Sequence, residues 1–260
     1  MDFKSTFLFL LVFFSLVVSS AQEASQKFLG IEAGMTMIAG NLTHDEYIRG
    51  DIPTYTTDNS SSKLACMMTR YYFGIKPEVL LLNDRVGIAI GLRYTQTSSS
   101  AWKSDYMSNK ADFFYVLYRQ DGLNTEYLKV KEIIQKSGCI GIPVEVRYFP
   151  MIPAFSRLYI KLGSEMGFRL QTHTDVVFYD NAMDLYKEDI VAKVGKPGSF
   201  YSSVYGAAGF KLGKKSKSSF SIELSLPFVF LTKETSGLLN PIAGGGFQLN
   251  FQVPGKSKAQ

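Results

Sequence analysis

The chain of 260 residues has only two cysteines, two histidines and one tryptophan, and only 20% of its residues are charged. Two cysteines are too few for the disulfide framework that stabilises small secreted domains. Aromatic residues nevertheless make up 14% of the chain, and that much surface to bury excludes an intrinsically disordered protein. The net charge of +5 suggests nucleic-acid binding, but no motif supports it, and no nucleic-acid partner is expected.

The N-terminus has the composition of a secretory signal peptide. Lys4 precedes an apolar run from Phe7 to Val18, and the small residues Ser19–Ala21 follow it. A run of about twelve apolar residues is too short for a membrane-spanning helix, which needs roughly 20, whereas a charged start, a short apolar run and small residues are typical of an export signal. We predict a signal peptide over residues 1–21 and a short periplasmic N-terminus over 22–27.

The rest of the chain contains eight stretches in which apolar and polar residues alternate with a period of two. They cover residues 29–37, 72–79, 87–95, 140–148, 158–169, 201–211, 220–228 and 247–253. Because a strand turns successive side chains to opposite faces, each stretch predicts a strand with one apolar face. The apolar phase contains no charged residue. The other phase carries five acids and six bases: Glu32, Lys76, Glu78, Arg93, Glu145, Arg147, Lys161, Glu165, Arg169, Lys211 and Glu223.

The connections between these stretches alternate in length. Short ones lie around Asn83-Asp84 and over residues 150–157 and 213–218, whereas the others are longer: residues 39–67, 96–138, 171–199 and 231–241. A soluble sandwich also alternates apolar and polar residues, but short turns at one end and long loops at the other are typical of outer-membrane barrels. A secreted sandwich or lipocalin-like barrel is the alternative.

We therefore predict an all-β fold, an eight-stranded antiparallel up-and-down transmembrane β-barrel over residues 28–253, with a polar periplasmic tail over 254–260. A hairpin around Asp121-Gly122 either extends two of the strands outward or adds a pair and makes ten. Six aromatic residues near strand ends are expected at the two lipid interfaces: Tyr71, Tyr72, Tyr94, Tyr148, Phe168 and Phe228.

Two segments carry a family resemblance. Residues 140–148 read Ile-Gly-Ile-Pro-Val-Glu-Val-Arg-Tyr, an aliphatic-Ile-Pro run that ends in a basic residue and an aromatic. Gly246–Phe251 approximates the C-terminal signal of barrel assembly. With its eight-strand layout, the chain resembles the OmpA/OmpX-type barrels and more closely the PorT-like outer-membrane β-barrel family. This resemblance implies a Gram-negative outer membrane and, from one named member, an accessory role in protein secretion; it implies no catalytic residues.

The inward charges indicate a filled barrel. An eight-stranded barrel is just wide enough for its own side chains, and opposite charges in that volume should pair because an unpaired buried charge is costly. A selective pore would more often show rings of one sign. We expect an ion-paired interior, with a small channel as the alternative.

Cys66 and Cys139 fall near strand starts at one predicted rim and share the inward phase. With one strand between them, they would lie roughly 9–10 Å apart. A disulfide needs Cα atoms within about 7 Å, so a bridge requires the rim to bend inward. The oxidising export route permits a bridge, so a disulfide and two separate thiols both stay open.

Candidates for catalysis and metal binding are weak. His44 and His173 each stand beside an acid that could orient a general base, but both fall in long loops without a nucleophile motif. We predict that the protein is not an enzyme, with a loop-based hydrolase as an alternative. The first long loop contains four acids, Asp45, Glu46, Asp51 and Asp58. These acids lack the EF-hand spacing, and neither a metal nor a cofactor is expected.

The long loops are rich in aromatic and basic residues. The basic ones are Lys103, Lys110, Arg119, Lys129, Lys131, Lys136, Lys187, Lys193 and Lys196. Lipopolysaccharide phosphates are their natural acidic neighbours in an outer membrane. The aromatic residues either pack on other loops or form a surface for a protein partner. We predict a monomer that acts as a membrane-anchored interaction, envelope or secretion accessory protein through long extracellular loops.

Overall fold

The computed structural model describes residues 26–44, 46–50, 64–103, 113–121, 124–151, 155–214 and 217–255. The predicted signal peptide and most of the predicted tail lie outside these residues. The strands are β1 (Gln26–Leu42), β2 (Ile48–Arg49), β3 (Leu64–Leu81), β4 (Val86–Ile90), β5 (Leu92–Lys103), β6 (Phe114–Asp121), β7 (Asn124–Tyr148), β8 (Ser156–Phe178), β9 (Phe200–Leu212), β10 (Ser219–Phe230) and β11 (Leu239–Pro254). A 3-10 helix (Asn181–Tyr186) leads into α1 (Lys187–Val194). Neither helix of the described residues has the length and apolarity to cross a membrane.

Eight strands close into a ring in which every neighbouring pair is antiparallel. Going round, β1 pairs with β3, β3 with β4 and β5, these with β7, and then β8, β9, β10 and β11 follow until β11 returns to β1. β4 and β5 act as one strand interrupted at Gly91, where a Cβ atom would lie 2.5 Å from the Ile75 carbonyl oxygen. The predicted eight-stranded barrel is confirmed. β2 and β6 lie outside the ring, because β6 pairs with the outer part of β7 and β2 pairs with β6.

The outer surface of the ring is apolar and its interior is polar. On β8, Leu158, Ile160, Leu162 and Phe168 are 52–70% exposed, while Lys161 between them is only 5% exposed. This arrangement is the reverse of a water-soluble barrel and is the pattern of a transmembrane barrel, whose outward apolar band contacts lipid.

Two strands continue far beyond the ring. β7 has 25 residues and β8 has 23, whereas crossing a bilayer takes about 9–11 residues of tilted strand. Of the segments that the sequence places in long loops, residues 96–103, 114–121 and 124–138 are strand, whereas 171–199 is strand only as far as Phe178 and then continues into the two helices. With β6, β2 and α1, they build an outer region above the long-loop end of the ring.

β-Bulges mark the boundary between the ring and the outer region. The ladder shifts by one residue at Leu170 in β8, at Leu226-Pro227 in β10 and at Ile242 in β11. An extra residue reverses which side chains face inward. Phe228 therefore points into the barrel and is only 3% exposed, so its predicted place at the lipid interface is wrong.

Tyr72 is a second correction. It shares the inward phase with Lys76, and its hydroxyl donates a hydrogen bond to the Gln248 Oε1 atom at 3.1 Å. A buried tyrosine needs such a partner for its hydroxyl, and the polar interior provides one. The other four aromatics, Tyr71, Tyr94, Tyr148 and Phe168, are 44–62% exposed on the outer wall.

The interior is layered along the barrel axis. At the short-turn end lies the inner-end cluster, Phe28, Leu80, Phe149 and Tyr159. The charged side chains occupy the middle. Above them lies the mouth cluster, Ile38, Met68, Tyr205, Phe228 and Leu239. The largest cluster is the outer core: Ile48, Ala101, Phe114, Val116, Leu128, Val130, Ile133, Val176, Phe178, Ile190, Val194 and Leu238.

Candidate functional site

Glu145 on β7 is the centre of the interior charge network. One carboxylate oxygen accepts from Lys76 at 2.5 Å and lies 3.3 Å from Arg147. The other accepts from the Tyr205 hydroxyl at 2.9 Å and lies 3.3 Å from both Arg93 and Lys161. Four cations thus share one carboxylate whose side chain has no exposed surface.

The surrounding acids are bridged by the same cations. Arg93 joins Glu32 at 2.7 Å to Glu165 at 2.5 Å. Arg147 joins Glu78 at 3.1 Å to Glu223 at 2.9 Å. Lys76, Arg93, Arg147 and Lys161 each contact at least two carboxylates, so the centre of the network is cross-linked rather than built from separate pairs.

Aromatic rings separate the charged groups. The guanidinium of Arg93 lies 4.4 Å from the ring centroid of Tyr72, and that of Arg70 lies 4.5 Å from the ring of Phe228. At the other end, the Lys211 ammonium lies 4.6 Å from the ring of Phe28. Cation–π contacts of this kind are strongest where water is excluded.

Ten of the eleven predicted interior charges are at most 5% exposed, namely Glu32, Lys76, Glu78, Arg93, Glu145, Arg147, Lys161, Glu165, Lys211 and Glu223. Arg169 is only half-buried and lies outside the network. It donates to the carbonyl oxygens of Gly198 and, at 2.6 Å, Thr235. Arg169 lies at the mouth of the barrel because the next residue of β8, Leu170, is the bulge that ends the ring.

Arg70 is a network residue that the sequence pattern missed. It is 1% exposed and lies 3.1 Å from Glu165. Its position has the same parity as Tyr72 and Lys76. Extending the second alternating stretch by two residues would have identified it.

Cys66 and Cys139 are both free thiols in this structure. The ladder aligns Cys139 with Thr95 and Tyr72, whereas Cys66 precedes Tyr72 by six residues. Six residues of strand span about 20 Å, far more than the roughly 7 Å between bridged Cα atoms. The two cysteines lie at different heights because β3 continues above the predicted rim, so the disulfide hypothesis does not fit this structure.

The side chain of Gln135 on β7 bonds to β8 and to two loops across the barrel mouth. Its Nε2 atom donates to the Thr174 hydroxyl and to the Gly195 carbonyl, both at 3.1 Å. Its Oε1 atom accepts from the Ser236 hydroxyl at 3.1 Å and the Gly237 N–H at 2.7 Å. One buried amide thus holds the end of α1 and the loop before β11 over the mouth.

Helix α1 closes the outer region. It begins after a 3-10 helix capped by the Asp180 carboxylate, and it buries Ile190 and Val194 in the outer core. Lys193 lies on a neighbouring face of the helix and donates to the carbonyl oxygens of Leu117, at 2.6 Å, and Tyr118 in β6. Burial lowers the pKa of Lys193. The helix is therefore fixed to β6 by a charge-assisted contact and to β7 and β8 by apolar packing.

The outer face of the extended sheet carries a row of aromatic rings. Phe113 lies 4.9 Å from Tyr179 and 5.4 Å from Tyr115, and Tyr115 lies 6.4 Å from Tyr127 between ring centroids. Cations flank the row, with Lys129 4.8 Å from the Phe113 ring and Arg49 6.0 Å from the Tyr127 ring. We call these four rings the aromatic row.

The two histidines lie apart from the charge network. His44 Nδ1 lies 3.2 Å from Glu46 near the surface, and His173 is exposed opposite Lys136. Of the acids considered for calcium, Asp45, Asp51 and Asp58 lie outside the described residues. Across the residues that the structure does describe, no group of three or more His, Cys, Asp or Glu side chains is placed to hold a metal.

No protein-family model and no curated protein matches the chain. Among solved structures it is similar to the outer membrane protein OprG from Pseudomonas aeruginosa, with 11% identity and a TM-score of 0.36 over 88% of this chain and 93% of that chain. The translocator domain of the autotransporter NalP from Neisseria meningitidis is 8% identical, with a TM-score of 0.31 over 98% of each chain. Outer-membrane expressed OmpT of Vibrio cholerae is 8% identical, with a TM-score of 0.22 over 90% of this chain and 99% of that chain.

Proposed function

We propose that the chain is a closed, non-enzymatic outer-membrane barrel that anchors a structured platform at the cell surface and presents it to a partner. The platform is the outer region built on the outer parts of β5, β7 and β8, together with β2, β6 and α1. The observation that carries this proposal is the division of the molecule into a ring with a filled interior and a second apolar core above it.

The interior argues against the channel alternative. The charged side chains of the middle layer are nearly without exposed surface, and apolar clusters lie below and above them. A conducting barrel needs a continuous aqueous path past its interior side chains. Here ions would have to displace paired charges that are themselves costly to separate.

The apolar band and the position of the short turns support an outer-membrane location with the platform outside. Lys129 precedes Ile140 by eleven residues, about 36 Å of strand, and Ile140 is level with the exposed rings of Tyr94 and Phe168. The platform therefore stands clear of the headgroup layer. Lipopolysaccharide is the proposed neighbour of basic residues closer to the membrane, such as Lys136.

The aromatic row supports a partner-binding role without catalysis or a cofactor. Partly exposed tyrosines beside an arginine have the composition of binding hot spots. An accessory role in secretion or in the envelope, as the family resemblance implies, is one setting for such a platform.

Two measurements on the mature chain test the proposal. Planar-bilayer recordings should show no stepwise conductance, and a stable conducting state would contradict it. A photocrosslinking residue at Tyr127 or Tyr179, in native membranes, should give one discrete adduct that is absent when it replaces Lys214, which is exposed at the short-turn end. Equal labelling at both ends, or none, would also count against a presenting platform.

A further inference from the structure

The outer part of β8 has one edge without a neighbouring strand. β8 pairs with β7 as far as Phe178, but its pairing with β9 stops at Phe168. One more bond, from the Arg169 N–H to the Ser199 carbonyl, ends that side of the ladder. Above it, the described residues make no strand pairing along this edge. An unpaired strand edge is a template for another extended chain.

Along this edge, the backbone N–H and C=O groups without a partner strand belong mainly to Thr172 and Thr174. Along one strand, side chains on the same face have their N–H and C=O groups directed to the same side. The Arg169 bond shows that inward-facing residues of β8 direct theirs towards β9, and Thr172, Thr174 and Val176 face inward above the bulge. The Val176 N–H is already satisfied, since it donates to the Asp175 carboxylate at 3.1 Å.

A groove of about 630 Å³ lies between this edge and α1. Thr172–Thr174 form its strand wall, and Val191, Ala192 and Lys196 lie on the other side. Its volume is within the roughly 300–1,000 Å³ of ligand sites. A strand edge beside a helix is the geometry in which an extended peptide adds a strand and places alternate side chains in the groove.

Both ends of this groove are fixed. At one end Lys187 of α1 is bonded to the Asp175 carboxylate, and at the other Gln135 holds the Gly195 carbonyl. The two walls are therefore held in place before any ligand binds. A preformed groove lowers the ordering cost of binding.

The charges around the groove favour an acidic ligand. Among its described lining residues Lys187 and Lys196 are cationic, against the single acid Glu188. Lys187 is paired with Asp175, so Lys196 is the cation left for a ligand. The hydrogen bond to Asp175 raises the pKa of Lys187, so this ammonium stays charged at neutral pH. Lys196 is exposed and open to a carboxylate.

We propose that this groove binds an extended acidic segment of a protein partner, which adds to β8 as a further strand along Thr172–Thr174. The proposal rests on the proposed function as a presenting platform and names the chemistry of the partner. The backbone edge supplies affinity through main-chain hydrogen bonds, and Lys196 selects an acidic side chain.

The probe is a displayed library of random ten-residue peptides, selected on the mature chain folded in detergent micelles. Thr172→Pro removes the edge N–H but leaves the ladder to β7, whose bonds come from the alternate residues such as His173. Thr172→Val is the matched control, because it removes the hydroxyl and keeps the N–H. We expect selected peptides to be acidic and to bind at least about tenfold more weakly to Thr172→Pro and to Lys196→Glu, with little change for Thr172→Val.

Hydrogen exchange separates strand addition from other modes of binding. Peptide binding should slow exchange of the Thr172 and Thr174 amides, and N-methylation of alternate peptide amides should abolish binding even if Thr172→Pro fails to fold. Four outcomes would overturn the proposal. They are a selection that yields no binding peptide, equal affinity for a folded Thr172→Pro variant, binding that survives N-methylation in both alternate registers, and unchanged exchange at both amides. None of these outcomes bears on the conductance and crosslinking results, which test the proposed function separately.

Discussion

The two halves of β8 place the same kinds of side chain in opposite environments. Below the bulge at Leu170, leucine and isoleucine side chains face outward and Lys161 and Glu165 are buried inside. Above it, Val176 and Phe178 are buried inside, and polar residues such as His173 face outward. In the proposed function, one strand thus serves both a membrane-embedded ring and a water-exposed platform.

The difference follows from the solvent on the outer side. Lipid cannot solvate charges, so the ring keeps them inside, where they must neutralise one another. Water surrounds the platform, so apolar residues gain by burial there. The two interiors should therefore fail in different ways: the ring when a charge loses its counter-charge, and the platform when a cavity opens.

The largest expected effect comes from Glu145→Gln. The substitution keeps the shape of the side chain but leaves Lys76, Arg93, Arg147 and Lys161 short of one negative charge. Breaking a buried ion pair costs roughly 3–5 kcal/mol, and we expect the unfolding free energy to fall by about that much in urea titrations in lipid vesicles. Glu188→Gln, at an exposed site on α1, is the control and should change stability by less than about 0.5 kcal/mol. Equal costs for the two variants would mean that the network does not stabilise the ring.

Phe114→Ala should be similarly costly but confined to the platform. Phe114 is fully buried in the outer core, and truncating a buried phenylalanine costs roughly 3–5 kcal/mol. Because the platform packs separately from the ring, we expect faster hydrogen exchange and proteolysis in β6 and α1 while the ring amides stay protected. Phe113→Ala, on the half-exposed outer face of the sheet, is the matched control. Loss of protection throughout the barrel would show that the two regions unfold as one.

Arginine substitutions on either side of the bulge at Leu170 test whether the outer face of β8 passes from lipid to water at that point. Leu162 is 70% exposed on the ring and Val177 is 40% exposed on the platform, both on the outer face of β8. Leu162→Arg should cost about 2–4 kcal/mol, as expected near the midplane of a bilayer, whereas Val177→Arg should cost less than about 0.5 kcal/mol. Urea titrations of both variants in vesicles provide the comparison. A similar cost at both positions would place Leu162 outside the lipid.

Much of the ring was predictable from the sequence because its alternation is strict. The inward phase of Lys161 and Glu165 could be assigned by counting in steps of two, and the short turns located the strand ends. The partners of each charge could not be predicted, since they lie on strands far apart in sequence that only the folded ring brings face to face. Glu32 and Arg93, for instance, are 61 positions apart.

The platform was harder to predict because bulges interrupt the alternation. On β10, Leu224, Leu226, Phe228 and Phe230 all fall on even positions, so an uninterrupted count sends every one to the lipid. Because of the bulge at Leu226-Pro227, Phe228 and Phe230 face inward instead. No local residue pattern distinguishes such a bulge from a strand end, and the roles of Gln135 and α1 depend on loops that only the three-dimensional fold brings together.

Gln135→Ala tests whether the mouth or the charge network seals the barrel. Removing the amide leaves the Gly195 carbonyl and the Gly237 N–H without their partner, and an unsatisfied buried group costs about 1–3 kcal/mol. We expect faster amide exchange in the loops over residues 195–199 and 231–238. Conductance should stay at background because the charge network is intact, and Ser100→Ala, at a half-buried site on β5, is the control. Channel activity in Gln135→Ala would instead assign the seal to the mouth.

The smallest expected effect is the pH dependence of the contact between Asp175 and Lys187, at the platform end of β8. The hydrogen bond from Lys187 lowers the pKa of Asp175, so the contact stabilises the folded platform at pH values above the ordinary aspartate pKa of about 3.9 and is lost as the pH falls through the lowered value. Both side chains are more than 40% exposed, so solvent screens the interaction and the gain is small. We expect α1 amides to exchange slightly faster in Asp175→Asn than in the wild type at pH 6, and the difference should vanish once the pH is well below the lowered pKa of Asp175. A difference that does not shrink with falling pH would mean that the substitution acts through packing rather than through charge.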